Sequence, residues 1–122
     1  MRFLVVDDKP EILMLVTMML QRAFGPCEIV TGRNGNEGLA ALSAGEEKPD
    51  VIISNLRMPS MDGFTFMREV RQNNAWADIH VVAMSALTSP DVLAKAETSG
   101  AELFLRKPFT FNNFKEVMEQ LI

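Results

Sequence analysis

Short apolar runs alternate along this chain with longer stretches of helical period. Arg2 to Val6, Cys27 to Thr31, Val51 to Ser54, His80 to Ser85 and Leu103 to Arg106 read as strands. The near-continuous apolar character of Phe3 to Val6, Val51 to Ser54 and Leu103 to Leu105 is what a strand buried on both faces requires. Pro10 to Phe24, Asn34 to Ser43, Gly63 to Gln72, Ser89 to Ser99 and Thr110 to Leu121 read as the helices between and after them. Such an order predicts an α/β, doubly wound parallel sheet with helices on both faces. Gly25-Pro26, Gly32, Gly45, Pro49 and Gly100 fall between elements, where turns and helix stops belong.

The first helix is the most regular. Ile12, Leu15, Val16, Met19, Leu20 and Ala23 form an apolar stripe. Asp8 or Lys9 precedes Pro10 at a first helical position, and Glu11 follows Asp8 at capping-box spacing. Met14 and Met18 lie on the other face, one turn apart, as surface methionines or as an adaptable contact for a partner.

With 122 residues, the chain reads as one domain spanning 1–122, with no output domain after Ile122. A net charge of −4 with scattered basic residues excludes a nucleic-acid surface. No apolar stretch is long enough to span a bilayer, and no leader pattern precedes the first strand. A cytoplasmic location without membrane contact is therefore expected. The lone Cys27 rules out an intramolecular disulfide, and the lone His80 offers no zinc-type ligand set.

The chemistry collects where strands end. Asp7-Asp8, Asn55 and Lys107-Pro108 each close an apolar run, and in open parallel sheets ligands bind at the carboxyl edge. Taken alone, Asp7-Asp8 would be a cap and a solvated turn acid, and Lys107 a surface lysine. Together they predict one pocket holding two carboxylates, an amide and an ammonium.

The ordered set Val5-Val6-Asp7-Asp8, Asn34-Gly35-Asn36-Glu37-Gly38-Leu39, Asp50 to Gly63, Ala83-Met84-Ser85-Ala86, Gly100-Ala101-Glu102 and Lys107-Pro108-Phe109 resembles the receiver domain of two-component response regulators. The resemblance covers the whole chain. It implies a flavodoxin-like (βα)5 fold of strand order 2-1-3-4-5. It also implies a non-enzymatic phosphorelay role, with a histidine kinase or phosphotransfer protein as partner. By position, Asp8 would ligate Mg2+ directly, Asp7 through water, and Arg57 by its backbone carbonyl. Asn55 stands where the family has its phosphoacceptor aspartate, Ser85 and Lys107 would bind a phosphoryl group, and Phe104 matches the aromatic switch. The fourth helix, fifth strand and fifth helix would form the face for an effector or a homodimer.

Asn55 changes that expectation. An amide forms no acyl phosphate, and as a neutral donor it weakens Mg2+ binding. Asp7, Asp8 and Lys107 then sum to −1, where an acceptor aspartate would give −2. On sequence, three accounts stay open: a natural pseudo-receiver, a deliberate replacement of the acceptor, or an asparagine that deamidates to aspartate. Two enzyme-like or carrier alternatives also carry weight, a magnesium-dependent phosphohydrolase and a flavodoxin. The first calls for an Asp-x-Asp spacing that Asp7-Asp8 does not give. The second needs a hydroxyl- and glycine-rich phosphate loop where Asp7-Asp8-Lys9-Pro10 stands.

Overall fold

A computed structural model of the chain describes residues 1–45 and 47–121. The domain limit expected at Ile122 lies outside the described residues. Five strands, β1 (Arg2–Val6), β2 (Glu28–Gly32), β3 (Val51–Asn55), β4 (His80–Ser85) and β5 (Leu103–Arg106), alternate with five helices. These are α1 (Pro10–Phe24), α2 (Gly35–Ala44), α3 (Gly63–Gln72), α4 (Pro90–Ser99) and α5 (Phe111–Glu119). All pairings are parallel, in the order β2-β1-β3-β4-β5, the flavodoxin-like arrangement that the resemblance to receiver domains implies.

Strand alternation sorts the core into two layers. Phe3, Val5 and Ile53 pack with α1 and α5 through Val16, Leu20 and Phe114. Leu4, Val6 and Ile52 pack on the opposite face with Leu42, Phe66 and Val70 of α2 and α3. β3 lies in the middle of the sheet and is buried from end to end, Asn55 included. That burial makes the polar residue closing β3 costly unless it is fully hydrogen-bonded.

Caps fix where the helices begin. Asn34, Asp62, Ser89 and Thr110 each accept a backbone N–H of the first turn, and Thr110 forms a reciprocal box with Asn113. The helices predicted from Asn34, Ser89 and Thr110 thus begin one residue later, with those residues as caps. β2 also runs one residue later than expected, because Cys27 precedes the ladder that Glu28 opens opposite Arg2.

Two expectations for α1 are corrected. Lys9 is its N-cap and no side chain caps it there, so the Asp8–Glu11 box does not form. Asp7 Oδ1 instead accepts the Lys9 N–H at 3.0 Å, which turns the chain inward before Pro10. The buried stripe is Leu13, Val16 and Leu20, and Leu15 is 38% exposed. Leu13 was missing from the predicted stripe because Leu13 and Leu15 are equally apolar in sequence. Met14 and Met18 do face solvent, 67% and 60% exposed.

Candidate functional site

The parallel register carries the polar clusters to one edge. β1 and β3 pair up to Val6–Ser54, and β3 and β4 up to Asn55–Met84. The residues that follow these pairs therefore emerge side by side. Asp7 extends the ladder by donating its N–H to the Gly32 carbonyl at 3.0 Å, and Lys107 donates its own to the Ser85 carbonyl at 2.9 Å. The Lys107–Pro108 peptide is cis.

Lys107 Nζ lies 2.7 Å from Asp7 Oδ2 and 3.2 Å from Asn55 Oδ1. Asn55 Nδ2 donates to the Arg57 carbonyl at 2.7 Å and to Asp8 Oδ1 at 3.3 Å. The amide orientation follows from chemistry: reversed, its NH2 would face an ammonium and its oxygen would face a carbonyl and a carboxylate. Every sequence-predicted member of the acidic cradle thus meets in one hydrogen-bonded cluster.

Electrostatics divides the two acids. Asp7 is fully buried. Burial pushes its carboxyl above the ordinary aspartate range, while the Lys107 hydrogen bond, the Lys9 N–H and the Lys107 charge draw it down. The neighbouring Asp8 charge adds a further push upward. Asp8 is half-buried, so water shares its charge.

Ser85 and Phe104 make no side-chain hydrogen bond to this cluster. Ser85 is buried, and its hydroxyl oxygen accepts the Leu87 N–H at 3.0 Å. Phe104 is half-buried against the layer formed by α2, α3 and α4. Two further residues shape the site and were not singled out from the sequence. Gly63 donates its N–H to the Leu56 carbonyl at 2.9 Å and leaves no room for a side chain beside Asn55. Ser54 is buried and its hydroxyl donates to the Asn55 carbonyl at 3.0 Å. A glycine just after an Asp at a helix entry was the available signal for Gly63; nothing in the sequence marks Ser54.

The resemblance to receiver domains implies Mg2+ at this edge, which makes the donor set here a test. A magnesium ion needs near-octahedral oxygen ligands at about 2.0–2.1 Å. Here the Asp8 and Arg57 oxygens take amide hydrogens, and one Asp7 oxygen takes the Lys107 ammonium. As arranged, these residues do not fit the ion.

A family model described as the response regulator receiver domain matches residues 3–119. The chain belongs to that family. It is 35% identical over 118 residues to the DNA-binding transcriptional regulator NtrC of Salmonella typhimurium, covering 97% of this chain and 24% of NtrC. It is 29% identical to the probable C4-dicarboxylate response regulator DctR of Priestia megaterium, covering 96% of this chain and 50% of DctR. The chain thus spans half or less of these curated relatives. Among solved structures, the chemotaxis response regulator CheY4 of Vibrio cholerae superposes with a TM-score of 0.89 at 30% identity, over 99% of this chain and 98% of CheY4. Receiver domains work in signalling with histidine kinases or phosphotransfer proteins, and a segment of the sensor histidine kinase CheAY of Helicobacter pylori is itself 30% identical over 94 residues. No described helix is long and apolar enough to cross a membrane.

Proposed function

We propose that this chain is a phosphorylation-incompetent receiver that signals by protein contact from a cytoplasmic location. The observation that carries the reading is the hydrogen-bonded amide of Asn55 at the end of the central strand, inside an otherwise complete receiver cradle. Acyl phosphate formation needs a carboxylate oxygen as nucleophile, and an amide offers none. Asp7, Asp8, Asn55 and the Arg57 carbonyl occupy the family's metal positions, and Ser85 and Lys107 its phosphoryl-binding positions. Phosphorylation would add about −1.5 to −2 charge and bias a two-state element toward Ser85 and Lys107. Without it, output follows from abundance and from which partner binds.

The partners are a histidine kinase or phosphotransfer protein, and an effector or second copy on the face made by α4, β5 and α5. Phe104 is the switch aromatic of that face. It lines an open surface groove with Leu93, Ala96 and Leu103.

Radiolabel transfer from a small phosphodonor such as acetyl phosphate tests the reading. The native protein should take up no label, and Asn55→Asp should label when Mg2+ is present. A native protein that labels at residue 55 without prior deamidation, checked by mass spectrometry, would overturn it.

A further inference from the structure

We infer that the Asn55 carboxamide does within this chain the bridging work of a divalent cation, so that the strand edge is closed without metal and does not respond to Mg2+. The inference rests on the reading of Asn55 as the residue at the acceptor position and deepens it.

A cation at such an edge does two things: it neutralises buried carboxylate charge and it ties separate chain segments together. Here the two tasks are divided. Lys107 neutralises Asp7, the acid that water cannot reach. Asn55 supplies the bridge, its NH2 reaching from the Arg57 carbonyl to Asp8 and its oxygen reaching Lys107. One planar group thereby joins the ends of β1 and β3, the loop after β3 and the segment after β5.

An amide suits this arrangement better than any near-isostere. A carboxylate at position 55 would present oxygen to the Asp8 carboxylate and to the Arg57 carbonyl, and three acids would face one ammonium. That arrangement favours binding of a cation. An alanine would leave the Asp8 and Arg57 oxygens without their amide donor and the Lys107 ammonium with Asp7 alone. Asp8, the remaining net charge, is half-buried and can be solvated. No described side-chain nitrogen or oxygen that is buried is left unsatisfied, so the cluster is complete as it stands.

Thermal unfolding of the native chain, Asn55→Asp and Asn55→Ala, each in chelator and in millimolar MgCl2, tests this. The native melting temperature should move by less than about 1 °C. Asn55→Asp should melt lower in chelator and rise by on the order of 10 °C at saturating Mg2+. Asn55→Ala should melt roughly 5–10 °C below the native chain in chelator. Because variants can perturb folding, the native side-chain amide is also read directly by NMR. The Asn55 NH2 protons should exchange slowly, and Mn2+ should leave their signals unbroadened. A saturable Mg2+ stabilisation of the native chain, Mn2+ broadening of those signals, or an Asn55→Ala variant as stable as the native chain would each overturn the inference. Labelling reports separately: if Asn55→Asp stays unlabelled while the melts behave as stated, the proposed function fails and the amide bridge stands.

Discussion

The α-carbon of Gly63 packs directly on the backbone at Asn55. A side chain at position 63 would fall within 2.7 Å of the Leu56 Cα and 2.9 Å of the Asn55 carbonyl carbon. The start of α3 is thus pressed onto the end of β3, and only backbone atoms stand at the contact, so nothing flexible can give way. Gly63→Ala should cost roughly 2–3 kcal/mol by overpacking. It should also disturb the Asn55 amide signals, because relief requires the end of β3 to move. Urea unfolding and a side-chain amide spectrum check both.

Removing the ammonium that faces Asp7 leaves a fully buried acid without its counter-charge. Lys107→Met should therefore destabilise the chain by about 3–5 kcal/mol at neutral pH. Asp7→Asn combined with Lys107→Met should recover most of that loss, giving a coupling visible in a double-mutant cycle of unfolding free energies.

Arg71 carries an architectural load far from the strand edge. Its guanidinium donates to the Ala77 carbonyl at 2.8 Å, the Ile79 carbonyl at 2.7 Å and the Gly100 carbonyl at 2.8 Å. A lysine cannot reproduce that planar fork. Arg71→Lys should lose on the order of 2 kcal/mol, with the losses in hydrogen-exchange protection centred on the segments before β4 and β5.

Asp78 offers a pH-dependent contribution whose sign is fixed. Its hydrogen bond from the Lys48 ammonium holds the carboxyl below its reference value of 3.8. The folded form therefore favours the charged state, and the contribution is present above the unfolded value and lost as pH falls below 3.8. Lys48→Met should return the Asp78 titration, followed by carboxyl NMR, toward that reference. The effect on melting temperature should be small, because Asp78 is exposed.

Ser60, in the loop after β3, holds a φ of 71°, the left-handed region that side chains disfavour. Ser60→Gly should stabilise the fold by about 0.5–1 kcal/mol, the relief of strain being partly offset by a freer unfolded chain. A denaturation midpoint that falls instead would show that the serine side chain has a stabilising role.

The parallel sheet and the convergence of Asp7, Asp8, Asn55 and Lys107 were legible because both follow from local rules, whereas the strand order came only from the resemblance to receiver domains. Apolar runs mark buried strands, and a parallel register brings their carboxyl ends to one edge. What the sequence did not reveal depends on three-dimensional neighbours. Leu13 and Leu15 look alike until packing selects Leu13. Lys9 rather than Asp8 takes the N-cap position of α1, without a side-chain cap, while Asp7 turns inward to meet Lys107, a partner distant in sequence. Asn55 read as a missing acid; only the positions of Asp8 and the Arg57 carbonyl give its NH2 a task. Arg71 had no local signature, since its acceptors are carbonyls from two separate loops.

The ion pair closing the sheet edge also imposes an order of events on synthesis. Asp7 leaves the ribosome 100 residues ahead of Lys107, so a growing chain carries an acid whose counter-charge has not yet been made. Until the last strand docks, keeping water beside Asp7 is the cheaper state, and β1 has reason to stay loosely engaged. Nascent chains halted before Leu103 should accordingly exchange their β1 amides quickly, and chains released after Lys107 should protect them.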